Sequence, residues 1–525
     1  MYGNEERSPD YDSDYVALSH AWGGADFTKL TSQSYTRLCD EFSMDELPQT
    51  WRDAIHLTRS LGYRFIWIDA LCIIQDSLYD WEVEAASMGQ VYANCDLNIA
   101  ALSGTTSHDG LFQYRDIAAN FPCDITDAIG GDNWPEGQRL HSAMIRRDDS
   151  DLAQETGPGS LDYVTEMVNG SLNKRGWVLQ ERAFSPRTLY FSKSSLFWDC
   201  RSLELDEFPS IAATDVELAS RENFNLKKGL PFNHQINSSK EVEQVFETWY
   251  KLLKIYCASG LTFETDRLLA ISGIAKLVAK KTKSDYYAGI WEHKKLQDLL
   301  WCVSEPVSVH REREDELPDP PEDVDKVWTK RLLKRQVSFS WASIGGPVAI
   351  HWPYHALSQA EGVEILFRAQ IQGFVLPPRP TAFTSVNWND DTRFERAVAG
   401  SFSISCPVHK FGTAEVSDWD EARRKVGQEI LAAGLSLSGM PVGVRYFPDR
   451  TEAYSTTICR ASLAHSRLAG GSIADFGLIL SPAKTDLQGR VLYKRLGMYY
   501  DLYGKGDTYS KFRRGFYRNG NVVVI

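Results

Sequence analysis

Residues 65–92 read FIWIDALCIIQDSLYDWEVEAASMGQVY, and their pattern predicts the fold class of the first part of the chain. Residues 65–68 form a short apolar run typical of a strand buried in a parallel sheet. A helix begins near Asp80. The polar residues between the two are Asp69, Cys72, Gln75 and Asp76. Because ligands of open α/β sheets bind beyond the carboxyl ends of strands, this stretch predicts a site.

The helix that follows carries a carboxylate on its apolar side. At 100° per residue, an arc of about 120° contains the apolar residues of this helix. They are Trp81, Ala85, Met88, Val91 and Tyr92. Glu84 falls inside the same arc, whereas Glu82 points elsewhere. Withdrawing a carboxylate from water costs several kcal/mol unless it is paired, protonated or needed for chemistry, so Glu84 is a candidate catalytic residue. A structural bond to a backbone donor or an arginine is the alternative.

A second strand end supplies further polar groups. Residues 15–19 (YVALS) read as a buried strand, and the loop HAWGG leaves it at residues 20–24. Strand and helix patterns then alternate up to residue 102, which favours an α/β domain with a mainly parallel sheet. Ser19 therefore lies at the end of one strand, as Asp69 lies at the end of the other. Gln180 and Glu181, on a later helix, face either this site or the solvent.

Length and composition predict the number of domains and exclude several classes of protein. The chain has 525 residues, which predicts two or three domains, and its net charge of −13 argues against a large nucleic-acid footprint. No run of eighteen apolar residues occurs, so no membrane span is expected, and the first residues do not resemble a secretion signal. Nine widely spread cysteines without a C-x-x-C pair indicate reduced thiols, a cytoplasmic location and no zinc site.

Changes in composition and hydrophobic pattern along the chain predict five segments. Residues 1–13 are a polar tail, and residues 14–200 form the α/β domain, with an insertion near 115–170. Residues 201–305 are mainly helical, residues 306–326 form an acidic, proline-containing linker, and residues 327–525 form a β-rich C-terminal region.

Four blocks of residues 14–200 resemble, in order, the fungal heterokaryon incompatibility (HET) domain. They are YVALSHAWGG, TWRDAIHLTRSLGYRFIWIDALCIIQD, DWEVEAASMGQVYANCDLNIAA and RGWVLQERAFSPRTLYF. His20 departs from the family, which more often has tyrosine at this position. The resemblance implies a cytosolic protein of non-self recognition and programmed cell death that signals by self-association or by binding another incompatibility protein, without requiring catalysis.

The resemblance also implies a distant relation to the Toll/interleukin receptor (TIR) fold, in which some members cleave NAD with a helix-borne glutamate in a W-x-x-E setting. Residues 81–84 read WEVE and match that short pattern. In this alternative the protein is an NAD glycohydrolase with Glu84 and Asp69 as catalytic carboxylates, NAD as substrate and no cofactor. The expected substrate contacts are Ser19, Trp22, Cys72, Gln75, Asp76, Trp81, Gln180 and Glu181.

A third reading assigns hydrolase or transferase chemistry to Cys72 as nucleophile, with His20 as its base. An isolated cysteine is more often a small core residue. Motifs of the G-x-S-x-G, Walker and G-x-G-x-x-G types are absent from the sequence, which disfavours serine-hydrolase, ATP-driven and dehydrogenase chemistry.

Overall fold

A computed structural model describes about three fifths of the chain, in two compact units that comprise Met1–His234 and Gln235–Ile525. The described residues are 14–24, 27–113, 123–124, 144–145, 166–193, 195–207, 226–230, 235–303, 340–344, 347, 350–352, 364–367, 369–375, 401–411, 443–448, 458–467, 473–485, 490–503 and 518–524. The predicted polar tail, most of the predicted insertion and the predicted linker therefore lie outside the described residues.

The first unit is built on a six-stranded sheet in the order β2-β1-β3-β6-β7-β8. The strands of this unit are β1 (Tyr15–Ser19), β2 (Phe65–Trp67), β3 (Leu97–Ala100), β4 (Cys123–Asp124), β5 (Met144–Ile145), β6 (Arg187–Phe191), β7 (Leu196–Cys200) and β8 (Glu204–Asp206). Strands β2, β1, β3 and β6 are parallel, whereas β7 and β8 add antiparallel pairs at one edge. The predicted α/β fold with a mainly parallel sheet is confirmed.

Six helices belong to the described part of this unit. They are α1 (Tyr35–Asp40), α2 (Gln49–Ser60), α3 (Asp69–Cys72), α4 (Leu78–Asn94), α5 (Val178–Phe184) and α6 (Leu226–Gly229). The predicted start of α4 is correct to within two residues, because the Ser77 hydroxyl accepts a hydrogen bond from the Asp80 amide and caps the helix. Gly62, at φ +87°, lies just beyond the end of α2.

The two faces of the sheet differ in polarity. Val16 and Leu18 of β1 pack with Ile99 of β3 against Trp51 and Ala54 of α2 in an apolar core. Because successive strand residues alternate between faces, the intervening positions of β1 lie on the opposite face, with α4 and α5. That second face carries buried polar side chains at the strand ends, and the candidate site forms there.

Two local expectations differ from the structure. Residues 65–68 are expected to form a buried strand. Ile68 is buried, but among the described strands β2 pairs with β1 alone and lies at the edge of the sheet, so residues 65–67 are half-buried. The polar residues after β2 were expected to form a loop, but Asp69 starts the single helical turn α3. This turn directs the chain from the sheet edge towards α4.

The second unit contains packed helices and a sheet of eight strands. Its helices are α7 (Ser239–Cys257), α8 (Ser272–Thr282) and α9 (Lys295–Asp298). Its strands are β9 (Tyr286–Tyr287), β10 (Ile290–Trp291), β11 (Cys302–Val303), β12 (Ile350–His351), β13 (Glu364–Phe367), β14 (Gln370–Val375), β15 (Ser401–Phe411), β16 (Gly443–Pro448), β17 (Ile458–Arg467), β18 (Ile473–Thr485), β19 (Val491–Tyr503) and β20 (Arg518–Val524). Strands β13 to β20 form the large sheet, which confirms β structure near the C-terminus. Within the described residues, no helix combines the length and apolar character needed to cross a membrane.

Candidate functional site

The carboxyl ends of β1, β2 and β3 meet at one edge of the sheet because the three strands are parallel. The residues there are Ser19 at the end of β1, Trp22 in the loop after it, and Asp69 two residues beyond β2. The structure therefore brings together three of the residues that the sequence predicted for a site.

Asp69 is anchored by directed hydrogen bonds. The indole Nε1 of Trp22 donates to Oδ1 and Oδ2 of Asp69 at 3.1 and 3.0 Å, and the amide of Ala70 donates to Oδ1 at 2.8 Å. Burial raises the pKa of the Asp69 carboxyl, and the charge of Arg175 together with these hydrogen bonds opposes the rise. The hydrogen bonds therefore fix the orientation of the two carboxylate oxygens. Burial favours the neutral form of Asp69, whereas Arg175 and the hydrogen-bond donors favour the ionised form.

Glu181 is the second carboxylate of the cluster. It lies on α5 and is only 7% exposed, near the hydroxyls of Ser19 and Tyr92. Burial raises the pKa of Glu181 to about 7, against the lowering effects of Ser19 and Arg175. A carboxyl with this pKa exchanges its proton near neutral pH, which is a property of many acid–base groups in enzymes.

Arg175 is the cation near both carboxylates. It follows the 3₁₀ turn Leu172–Lys174 and precedes α5, and its Nη1 donates to the main-chain oxygen of His20. Its charge acts on the carboxyls of both Asp69 and Glu181. The sequence does not indicate that Arg175 belongs to the site, because a residue between two short helical segments has no periodic pattern that predicts its direction.

Glu84 and Cys72 lie at the more open rim of the site. Glu84 is half-buried, and its pKa is raised by burial and by the nearby charge of Asp80. The Cys72 side chain is exposed, yet the surrounding protein atoms and the charges of Asp69 and Glu84 raise the pKa of its thiol to about 11. Cys72 therefore lies close enough to both carboxylates to be affected by their charges.

One expectation about α4 is wrong. Glu82 was expected to point away from the buried side, but it is only 6% exposed, whereas Glu84 is half-buried. Glu82 lies about 90° around the helix from the direction of Met88 and Tyr92. Burial on both of these sides means that α4 is covered over more of its surface than one apolar arc indicates.

His20 and Cys72 do not have the protonation states that a nucleophilic thiolate and its base require. The Nε2 atom of His20 accepts a hydrogen bond from Trp51 Nε1 at 2.8 Å, and burial together with the charge of Arg175 lowers the pKa of His20 to about 3. His20 is therefore neutral near pH 7, with its acceptor nitrogen already occupied. A thiol whose pKa is about 11 is almost entirely protonated at the same pH.

The remaining predicted residues have local partners. Gln75 donates from Nε2 to the main-chain oxygens of Asp69 and Ile73, at 3.1 and 2.9 Å, and so supports the turn that carries Asp69. Asp76 is exposed and accepts a hydrogen bond from the Ser32 amide at 2.7 Å, in a separate loop. Trp81 is half-buried on α4, and Gln180 is buried on α5.

Two buried polar atoms beside the cluster have no hydrogen-bond partner in the part of the chain that the structure describes. They are Nδ1 of His20 and Nδ2 of Asn98, and the Oδ1 atom of Asn98 accepts a hydrogen bond from Ser19 at 3.1 Å. A buried donor without a partner costs about 1–3 kcal/mol, a cost that is often found where a water or ligand binds. Within the described residues, no group of three or more metal-ligating side chains is present.

Comparison with known proteins gives one match. Residues 15–181 match the family model described as Heterokaryon incompatibility protein (HET). This range contains all the predicted site residues, as well as Arg175 and Tyr92. No curated protein and no solved structure matches the chain. The match indicates a function related to heterokaryon incompatibility.

Proposed function

Residues 15–181 form a heterokaryon incompatibility (HET) domain, and from this premise we propose that the protein acts in non-self recognition and programmed cell death by hydrolysing the N-glycosidic bond of NAD in the cytoplasm. The observation that carries the proposal is the pair of carboxylates at the rim of the strand-end site. Glu84 and Asp69 both influence the exposed Cys72 thiol, and both have a raised pKa.

Hydrolysis of NAD breaks the bond between C1′ of the ribose and N1 of nicotinamide. The electron pair of that bond goes to N1, so nicotinamide leaves as a neutral molecule and a cationic sugar develops. Water then forms the new bond at C1′, and its proton goes to a carboxylate or to solvent. A nearby anion stabilises the cationic sugar, more strongly where water is partly excluded.

The described residues fit distinct roles in this reaction. Glu84 is the more accessible carboxylate and faces the developing positive charge. Asp69, fixed by Trp22, accepts hydrogen bonds from ribose hydroxyls. Glu181, buried beneath them with Arg175, holds an exchangeable proton without reaching the solvent.

The experiment is incubation of the purified full-length chain with NAD, with chromatographic measurement of nicotinamide. The wild-type protein should release nicotinamide, and Glu84→Gln should abolish release while leaving the thermal unfolding midpoint unchanged. Glu41→Gln, at an exposed carboxylate outside the site, is the matched control and should retain full turnover. Absence of release by the wild-type protein would falsify the reaction, and undiminished turnover of Glu84→Gln would remove Glu84 from it.

Self-association without catalysis is the second candidate, and a feature of the sheet edge favours it. Among the described strands, β8 pairs with β7 alone, and Leu203 and Leu205 at this edge are about half exposed, at 48% and 52%. Exposed apolar side chains on an edge strand favour pairing with another chain. If signalling depends on this edge, Leu205→Lys should abolish cell death and lower the molar mass in light scattering, whereas Glu84→Gln should change neither.

A further inference from the structure

A groove lies on the other side of the aromatic layer that holds Asp69. Its volume is about 490 Å³, within the usual range of ligand clefts, and its walls include Phe27, Gln49, Arg52 and His108. Neither Asp69 nor Glu84 lines it. The residues that line the groove are therefore different from those of the strand-end site.

One aromatic layer separates the groove from the carboxylates. Phe27, in the wall of the groove, packs edge-on against Trp22 and Trp51, with ring centroids 5.6 and 5.2 Å apart. The indole of Trp22 in turn donates to both oxygens of Asp69. A ligand of nucleotide length that extends across this layer can contact the groove and Asp69 at the same time.

A lysine lies above this layer. The Nζ atom of Lys29 is 4.8 Å from the ring centroid of Phe27 and 5.5 Å from that of Trp22. No carboxylate among the described residues forms an ion pair with Lys29, so its ammonium group is available to an anion. Lys29 lies over Phe27, which lines the groove, and over Trp22, which donates to Asp69, so its ammonium group can meet a phosphate that joins two halves of a ligand.

The walls of the groove are held in place without a ligand. The amide of Ser107 donates to the Trp22 oxygen at 3.2 Å, and the amide of Thr50 donates to the Ser107 oxygen at 3.0 Å. The amide of Gly110 donates to Thr50 Oγ1 at 3.1 Å. The loop that carries His108 is thus fastened both to the strand-end loop and to α2.

The groove contains one arginine, Arg52, whose guanidinium group can bind an anionic part of a ligand. Arg52 is held by a hydrogen bond from its Nη2 to Gln49 Oε1 at 2.5 Å, which leaves other guanidinium donors for a ligand. Among the acidic residues of the wall, Glu46 is engaged by Arg37 at 2.5 Å and by the Ser43 amide at 3.2 Å. Asp45 adds a negative charge at the wall, and Arg52 and His108 supply the opposing donors.

We propose that this groove binds the adenylate half of a dinucleotide whose glycosidic bond is cleaved at the strand-end carboxylates, with Phe27 against the base, Lys29 at the pyrophosphate and Arg52 as the residue that selects for the adenylate half. This inference rests on the proposed hydrolysis of NAD for its catalytic part, but the groove itself can be tested by binding alone.

The kinetic test compares Arg52→Gln with Arg59→Gln, a matched control at an exposed position of the same helix. Two substrates are used: NAD, and nicotinamide mononucleotide, which lacks the adenylate half. Loss of a charge-assisted contact should raise the KM for NAD about tenfold in Arg52→Gln, without a change in kcat. The KM for nicotinamide mononucleotide should stay at the wild-type value, and Arg59→Gln should behave as wild type. An equal rise in KM for both substrates, or none for NAD, would overturn the role of the groove.

The binding test is calorimetric titration of ADP into the wild-type protein and three variants, Arg52→Gln, Arg59→Gln and Lys29→Met, and it does not need catalysis. ADP should bind to the wild-type protein and to Arg59→Gln, and about tenfold more weakly to Arg52→Gln and to Lys29→Met. If ADP binds in this pattern but nicotinamide is never released, the assignment of the groove as the adenylate site is supported and the proposed reaction is wrong. If nicotinamide is released but ADP binds all four proteins equally or not at all, the reaction stands and the groove assignment fails.

Discussion

The indole Nε1 of Trp22 donates to both carboxylate oxygens of Asp69, at 3.1 and 3.0 Å, and so links the loop after β1 to the turn after β2. A hydrogen bond to the ionised form of a carboxyl lowers its pKa, and burial of Asp69 acts in the opposite direction. The charge of Asp69 at the site therefore depends on a donor that lies 47 residues away along the chain.

Trp22→Phe keeps an aromatic ring beside Phe27 but removes the indole donor. The pKa of Asp69 should rise, because the ionised carboxylate loses a bond while its burial stays similar. If Asp69 acts in its ionised form, the acid limb of the pH profile of kcat/KM for nicotinamide release should move to higher pH. Titration of labelled aspartate carboxyls by NMR gives a check that needs no activity. An unchanged profile and an unchanged titration would contradict the link between the two residues.

Glu181→Gln should change the pH dependence of stability. The folded-state pKa of Glu181 is raised from 4.5 to about 7, so between these values the folded chain retains a proton that the unfolded chain releases. The free energy of unfolding should then fall as pH rises from about 4.5 to about 7, by about 3 kcal/mol at most. His20 has a lowered pKa and acts oppositely, so the comparison of wild type with Glu181→Gln isolates the contribution of Glu181.

Urea unfolding followed by tryptophan fluorescence, from pH 5 to pH 8, measures this dependence. The difference in unfolding free energy between Glu181→Gln and wild type should grow in favour of the variant as pH rises. Parallel curves for the two proteins would show that Glu181 titrates in the folded state as it does in the unfolded chain.

The fold of the first unit could be predicted because its apolar periodicity is regular. Residues 15–19 and 65–68 read as strands, and the apolar positions from Trp81 onwards place the start of α4 near Asp80, two residues after its first residue, Leu78. Periodicity could not show that β2 is an edge strand, because exposure of a strand depends on which neighbours the topology provides. Helical periodicity also predicted the wrong environment for Glu82. A single apolar arc indicates one buried side of a helix, whereas α4 is covered on a second side as well.

The candidate site was predicted in part. Asp69 and Ser19 lie at the same edge because parallel strands end there, a relation that the alternating pattern already implied. Arg175 and Tyr92 could not be assigned in this way. Arg175 enters the site through a bond to the main chain of His20, and its direction depends on the 3₁₀ turn before α5 rather than on residue type.

Lys227→Met should strongly destabilise the first unit. Lys227 and Asp199 form an ion pair with side chains 1% and 2% exposed, and the lysine Nζ also donates to Thr188 Oγ1 at 2.9 Å. Removing the lysine leaves the buried Asp199 carboxylate without its cation, which costs about 3–5 kcal/mol. Thermal unfolding of the purified chain measures this loss.

The matched control for this prediction is Arg187→Met. Arg187 forms a 4.0 Å ion pair with Asp96, but the two side chains are 52% and 35% exposed. An ion pair of this kind contributes little because solvent screens it. Similar unfolding midpoints for Lys227→Met, Arg187→Met and wild type would contradict the prediction that loss of the buried pair lowers the stability of the protein.

Gly110→Ala should loosen the loop that carries His108. Gly110 has φ +77°, where a side chain is disfavoured, and an added Cβ would lie 2.9 Å from Asp53 Oδ2. Asp53 Oδ2 accepts a hydrogen bond from the Leu111 amide at 2.8 Å, so it can retreat only by weakening that bond. Strain and the weakened bond together should lower the free energy of unfolding by about 1–3 kcal/mol.

Gly24→Ala is the control, since Gly24 is exposed and has no atom within 4 Å of the added carbon, and it should unfold as wild type. Hydrogen exchange measured by mass spectrometry should show faster exchange in residues 105–111 of Gly110→Ala alone; equal exchange in both variants would mean that this loop is not held through Gly110.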